Sequence, residues 1–226
     1  PRGTAAGTSP PHDRPEPGAM PDGGNYGVAF DIGTTTLVGA LFDLVSGKRL
    51  KTASRLNPQT GYGDDVISRI NMCMQKKDGL AVLNAVVIDA VNEILSELAG
   101  HAGIQKRLIR FITAAGNTTM QHIFLKVDPS CLGALPFEPA FKNAVTAGAK
   151  ELGIEAHPDA KVYVFPSVAG FVGGDTVAVI LAAQMHKSDK VRLAIDIGTN
   201  GEIVLGNKKR LICASTAAGP AFEGCR

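Results

Sequence analysis

Two short segments, Asp31-Ile32-Gly33-Thr34-Thr35 and Asp196-Ile197-Gly198-Thr199-Asn200, carry the residue types that phosphate chemistry needs. Glycine has no Cβ, so backbone amides beside it can turn inward and approach phosphate oxygens closely. Thr34, Thr35, Thr199 and Asn200 add side-chain donors. Asp31 and Asp196 stand at strand ends, where they could hold a hydrated Mg²⁺. That ion keeps several waters and usually takes one or two carboxylates plus substrate phosphates. Two such hairpins facing across a cleft would grip a polyphosphate from both sides, and phosphoryl transfer depends mostly on positioning and charge neutralisation. A single Asp-x-Gly-Thr turn means little, because Asp and Gly are common turn residues. Two copies, each opening a three-strand meander, are an internal repeat. Asp31 and Asp196 are therefore the candidate catalytic and metal-holding residues, the metal being Mg²⁺ bound through water. Gly33, Thr34, Thr35, Gly198, Thr199 and Asn200 are the candidate phosphate binders.

Other nucleotide signatures are absent: there is no G-x-x-x-x-G-K-[ST], and no strand is followed by G-x-G-x-x-G. Gly173-Gly174-Asp175-Thr176 opens a helix, where free N–H groups and the dipole favour anions. We read it as a capped helix start whose glycines allow close packing between halves, and assign Gly173 and Gly174 to a hinge.

The elements that must position these turns are legible. Residues Tyr26–Ile32, Thr36–Leu44 and Arg49–Arg55 read as a strand meander. Asp64 or Asp65 caps a helix to about Lys77, and an amphipathic helix follows over about Leu80–Leu98. Leu108–Ala114 is a strand, Gly116–Thr119 turns into a helix, Val162–Phe165 is a short strand, and Asp175 opens a helix to His186. The stretch from Asp128 to about Ala160 shows no clear order. The cycle restarts with strands at Val191–Ile197, Glu202–Leu205 and Arg210–Ser215. The predicted fold is α/β, a ribonuclease-H-like half-domain over 25–188, then the first strands of a second half over 189–226, which looks truncated. Residues 1–24, crowded with Pro and Gly, read as a linker or disordered tail.

Composition fits an ordinary globular chain of 226 residues, 45% hydrophobic and 19% charged, with a net charge of +2. Its scattered basic residues give no reason to expect nucleic acid. Cys73, Cys131, Cys213 and Cys225 form no C-x-x-C pair, so neither zinc nor an iron–sulfur cluster is indicated. Scattered thiols without a signal peptide fit a reducing cytoplasm. Val177–Met185, read as the longest apolar stretch, is too short to span a bilayer, so no membrane is expected.

The hairpins resemble the phosphate loops of the ASKHA superfamily of acetate and sugar kinases, Hsp70 chaperones and actin, with Gly173–Ala178 similar to its first connecting helix. More narrowly, several stretches resemble the ATP-dependent reductive activators of corrinoid proteins. These are Val28–Thr36, Leu56–Gln59, Tyr62–Ile70, Gly116–Met120, Asp196–Glu202 and Ala218–Gly224. The resemblance implies ATP and Mg²⁺ as cofactors and a corrinoid protein of a methyltransferase system as partner, with homodimerisation left open. It implies that ATP hydrolysis drives reduction of Co(II) to Co(I). The electron would come from a [2Fe–2S] cluster in an upstream ferredoxin-like domain, and adenosine would be held by a loop later in the second half; neither is in this chain. A small-molecule or carboxylate kinase of the same superfamily, and a nucleotide-sensing scaffold without turnover, are the alternatives.

Several residues keep two readings. Asn57, Gln59, Tyr62 and Asp64 are turn and cap residues or a partner-facing surface; Asn117–Thr119 is an N-cap or part of the cleft. Glu202 orients metal-bound water or is a charge at a strand start. His12, His101, His122, His157 and His186 lack ligand spacing and read as structural or exposed, and Met72, Cys73 and Met74 read as core.

Overall fold

Alternating side chains settle the first strand. In β1 (Tyr26–Ile32), Val28, Phe30 and Ile32 are buried on one face while Ala29 and Asp31 stand on the other. The computed structural model describes residues 25–217; the expected linker over 1–24, His12, the Ala218–Gly224 stretch and Cys225 lie outside the described residues. Strand β1 pairs antiparallel with β2 (Thr36–Asp43), which pairs antiparallel with β3 (Arg49–Leu56). On its other side β1 runs parallel to β4 (Ile109–Ala115).

Helix α1 (Val66–Gln75) starts at Asp65, whose carboxylate accepts the Ser68 amide at 2.7 Å. Helix α2 (Gly79–Ala102) lays Leu83, Val87, Val91, Ile94, Leu95 and Leu98 against the buried face of the sheet, which is where the core sits. By length and composition α2 would suffice to cross a membrane, but its apolar residues Leu83, Val87, Val91, Ile94, Leu95 and Leu98 are buried. Those residues form the core instead. Helix α3 (Thr118–Phe124) is capped by Asn117, whose Oδ1 accepts the Met120 amide at 2.9 Å.

The stretch the sequence left unordered contributes an edge. There β5 (Val145–Gly148) pairs antiparallel with β6 (Lys161–Val164), which is itself parallel to β4. The sheet order is β3-β2-β1-β4-β6-β5, a ribonuclease-H-like arrangement with one added edge strand. Helix α4 (Gly174–Ala182) ends earlier than expected: Gln184 takes a left-handed conformation (φ 51°), and Met185–Lys187 continue as a 3₁₀ turn. A separate three-stranded antiparallel sheet follows, built from β7 (Arg192–Ile197), β8 (Asn200–Asn207) and β9 (Arg210–Ala217).

Candidate functional site

Each Asp-x-Gly-Thr segment forms the turn of a hairpin, the first between β1 and β2 and the second between β7 and β8. Gly33 is required by the turn itself. Its amide donates to Thr36 O at 3.1 Å, and a Cβ there would lie 2.4 Å from that oxygen. Gly198 behaves alike, donating to Asn200 O at 3.2 Å. Both glycine amides thus close their turns rather than point at a ligand, and the donors left to face one are further along each loop.

The two turns meet. Thr35 Oγ1 and Thr199 Oγ1 are 2.8 Å apart, and Asn200 Nδ2 lies 3.5 Å from Thr34 Oγ1. Thr34 Oγ1 also accepts from Asn117 Nδ2 at 2.9 Å. As an acceptor from two amides, that hydroxyl has its own proton to offer a ligand. A cavity of about 280 Å³ lies between the turns. All eight candidate phosphate and carboxylate residues line it, together with Thr36, Asn117, Asp175 and Glu202.

The carboxylates have distinct origins. Asp196 and Glu202 are direct cross-strand partners and so share one face of the small sheet. Glu202 is 6% exposed. Its carboxyl is pushed up to about 8 by burial and by repulsion from Asp175 and Asp196. Asp175 enters from α4. Burial holds it above the ordinary carboxylate range despite the Thr176 amide it accepts at 2.7 Å, and Asp196 adds to the rise. Among the described residues no Lys or Arg lines this cavity.

Gly173 and Gly174 stand apart from the lining. A Cβ on Gly173 would sit 2.5 Å from Gly116 O, and one on Gly174 would sit 2.6 Å from Gln121 Nε2. Gln121 anchors the turn before α4, donating to Phe165 O at 2.5 Å and accepting from Ser167 Oγ at 2.8 Å and Gly174 N at 3.1 Å. These glycines thus seat the start of α4 on α3 and the turn leading into it, within the larger sheet's unit. The helix cap is Gly173, with no side-chain cap bond, so Asp175 lies in the first turn and reaches the cavity. Reading Asp175 as helix-start chemistry hid it, although the carboxyl beside paired glycines was a usable signal.

A second group went unassigned. Arg69 is fully buried on α1 and donates to Thr34 O at 2.6 Å, Gly63 O at 3.0 Å and Gln59 Oε1 at 3.0 Å. Asn57, also fully buried, donates to Gly33 O at 2.8 Å while accepting the Gln59 amide at 3.0 Å. It is both a cap and a support for the first turn. The only sequence signal for Arg69 was its place in the family-like stretch Tyr62–Ile70. His122 is structural, as expected: its Nδ1 meets Thr118 O at 2.7 Å, its Nε2 accepts the Ala140 amide at 3.1 Å, and burial lowers its pKa.

A family model described as the RACo middle region matches residues 26–188, and one described as the C-terminal domain of RACo, the ASKHA domain, matches residues 190–226. The corrinoid activation enzyme RamQ of Eubacterium limosum is 41% identical over 199 residues, covering 88% of this chain and 33% of that protein. A [Co(II) methylated amine-specific corrinoid protein] reductase of Methanosarcina barkeri is 24% identical over 208 residues, covering 88% of this chain and 37% of that protein. The solved structure of a reductive activator for corrinoid, iron–sulfur protein shares 44% identity with a TM-score of 0.88, covering 91% of this chain and 33% of that one. The chain thus spans about a third of the length of these relatives. Its middle-region match extends over most of the sequence, and the chain belongs to the RACo family of reductive activators of corrinoid proteins.

Proposed function

We propose that this chain forms the ATP-binding and ATPase core of a reductive activator that couples ATP hydrolysis to reduction of Co(II) to Co(I) in a corrinoid protein of a methyltransferase system. One observation carries the reading: two phosphate-type hairpins from different sheets touch through Thr35 and Thr199 and enclose a single cavity with all eight candidate residues on its wall. The names of the relatives support the corrinoid assignment.

The donor set fits Mg²⁺. Asp31, Asp175, Asp196 and Glu202 line a cavity with no basic side chain among the described residues, and a cation there would relieve the mutual repulsion that, after burial, raises Asp175 and Glu202. Asp31 and Asp196 would hold the ion through its waters, and it would neutralise charge on the phosphates. Around it, Thr34, Thr35, Thr199 and Asn200 bind phosphate oxygens, while Asn117 orients the Thr34 hydroxyl. Without metal, burial holds the Glu202 carboxyl up at about 8; a bound Mg²⁺ would favour its ionised form, in which it can accept a proton from an attacking water. Closure about the Gly173–Gly174 region would carry the nucleotide state to a partner-docking surface. Because no three Cys, His, Asp or Glu side chains converge as direct ligands among the described residues, the Mg²⁺ would be held through its waters. Among the described residues only three free thiols occur, Cys73, Cys131 and Cys213, short of a four-cysteine [2Fe–2S] set. The electron is therefore assigned to a donor outside this chain.

The reading is tested in an activator that carries this chain at its relatives' full length. Adding the oxidised, Co(II) corrinoid protein should speed ATP hydrolysis. Failure of every such corrinoid protein to stimulate phosphate release would sink the corrinoid assignment.

A further inference from the structure

The first hairpin is held from behind at two consecutive carbonyls. Asn57 Nδ2 takes Gly33 O at 2.8 Å and Arg69 Nη2 takes Thr34 O at 2.6 Å. In a trans peptide the N–H points opposite to the C=O. The Gly33 carbonyl shares its peptide with the Thr34 amide, and the Thr34 carbonyl shares its peptide with the Thr35 amide. Pulling both carbonyls back toward Asn57 and α1 therefore turns both amides the other way, and Thr34 and Thr35 line the cavity. Neither amide bonds a backbone acceptor among the described residues, whereas the Gly33 amide is committed to Thr36 O.

Arg69 brings more than geometry. Its guanidinium is fully buried, its remaining contacts are Gly63 O, Gln59 Oε1 and Met120 Sδ, and no carboxylate lies within ion-pair distance among the described residues. Asp65 and Asp64 act on it only from beyond that distance, and a buried charge without a direct ion-pair partner is costly to keep. Burial lowers its pKa only to about 10, so it stays charged at neutral pH. Among the described residues no Lys or Arg side chain lines the cavity in front of the hairpin.

We propose that Arg69 is a positioning residue for the anion site: it fixes the Thr34–Thr35 peptide, aims the Thr35 amide into the cavity and polarises that amide with a buried positive charge. This rests on the phosphate reading of the cavity. Asn57 sets the neighbouring Thr34 amide in the same way, without charge.

Magnesium tripolyphosphate is the probe, because it has no nucleoside and reports the phosphate site alone. Titrated into the ¹⁵N-labelled chain, it should shift the Thr34 and Thr35 amide protons downfield and leave the Gly33 amide nearly still. Arg69→Gln should weaken binding about tenfold, the loss of one charge-assisted hydrogen bond. Arg69→Lys, which keeps the charge but not the fork, should recover part of that loss. A purely structural role would lower the melting temperature of both variants and leave the amide shifts of the unaltered chain unexplained. Binding accompanied by unmoved Thr34 and Thr35 amides would overturn the inference alone, as would undiminished binding by a folded Arg69→Gln variant. Should that variant not fold, the amide shifts of the unaltered chain decide. No tripolyphosphate binding by the unaltered chain would overturn both the inference and the phosphate reading beneath it.

Discussion

The two hairpins share a motif but not a foundation. The first turn is clamped from behind by Asn57 and Arg69, and its strands bury Phe30, Ile32 and Leu37 against the core under α2. The second belongs to the small sheet, where Leu193, Ile195 and Ile197, on the face away from Asp196 and Glu202, meet little of the other described residues and are exposed by 59%, 57% and 58%. Register differs as well: Asp31 pairs with Val38, whereas Asp196 pairs with Glu202 because the second loop is one residue shorter. Strand side chains alternate with period two, so that one residue decides which face the following strand offers. Leu37, the sequence counterpart of Glu202, enters the core, while Glu202 enters the cavity. The two turns are alike in sequence, and the difference in loop length gives only the second a second carboxylate facing the cavity.

The largest effect is expected at the carboxylate that both hairpins carry. Asp31→Asn should abolish Mg·ATP turnover in an activator carrying this chain, measured as phosphate release; full retained activity would refute the role given to that carboxylate. A smaller effect should arise where the hairpins differ. The Glu202 carboxyl sits at about 8 in the folded chain against 4.5 unfolded. Its contribution to stability is therefore complete below about pH 4.5 and is lost as pH rises through about 8. Between pH 5 and 9 the metal-free chain should lose melting temperature, and Glu202→Gln should flatten that decline by a few degrees, on the order expected for a chain of this size. Added Mg²⁺ should offset the decline at high pH. A melting curve insensitive to Glu202→Gln at every pH would contradict the burial of that carboxyl.

The smallest effect belongs to the contact between turns. Thr199→Ala removes the hydroxyl that meets Thr35 and should weaken nucleotide binding by about 1 kcal/mol or less, read by calorimetry. An unchanged affinity would show that the turns act independently.

Much of this was legible in the chain. Strand β1 falls on the residues its apolar run indicates, and the two turns were readable because the motif repeats. What escaped depends on distant partners. Arg69 looks like any polar residue on an amphipathic helix until Thr34, Gly63 and Gln59 close around it. Asp175 has the sequence of a helix start, and its approach to Asp196 exists only once α4 packs beside the small sheet. The register that brings Glu202 opposite Asp196 depends on a single loop residue, which a motif comparison does not resolve. Strand β5 is four residues without alternation, and pairing with β6 alone defines it.

Mg·ATP affinity compared among the unaltered protein, Asp31→Asn and Asp196→Asn tests most directly whether both hairpins serve one site. With Mg²⁺ each variant should lose at least about tenfold, roughly 1.4 kcal/mol, and the double variant should lose less than the product of the two, because one ion links them. Without Mg²⁺ neither change should weaken binding, since each removes a negative charge from the cavity. Full affinity in either single variant with Mg²⁺ present would contradict the account, leaving that hairpin outside the nucleotide site.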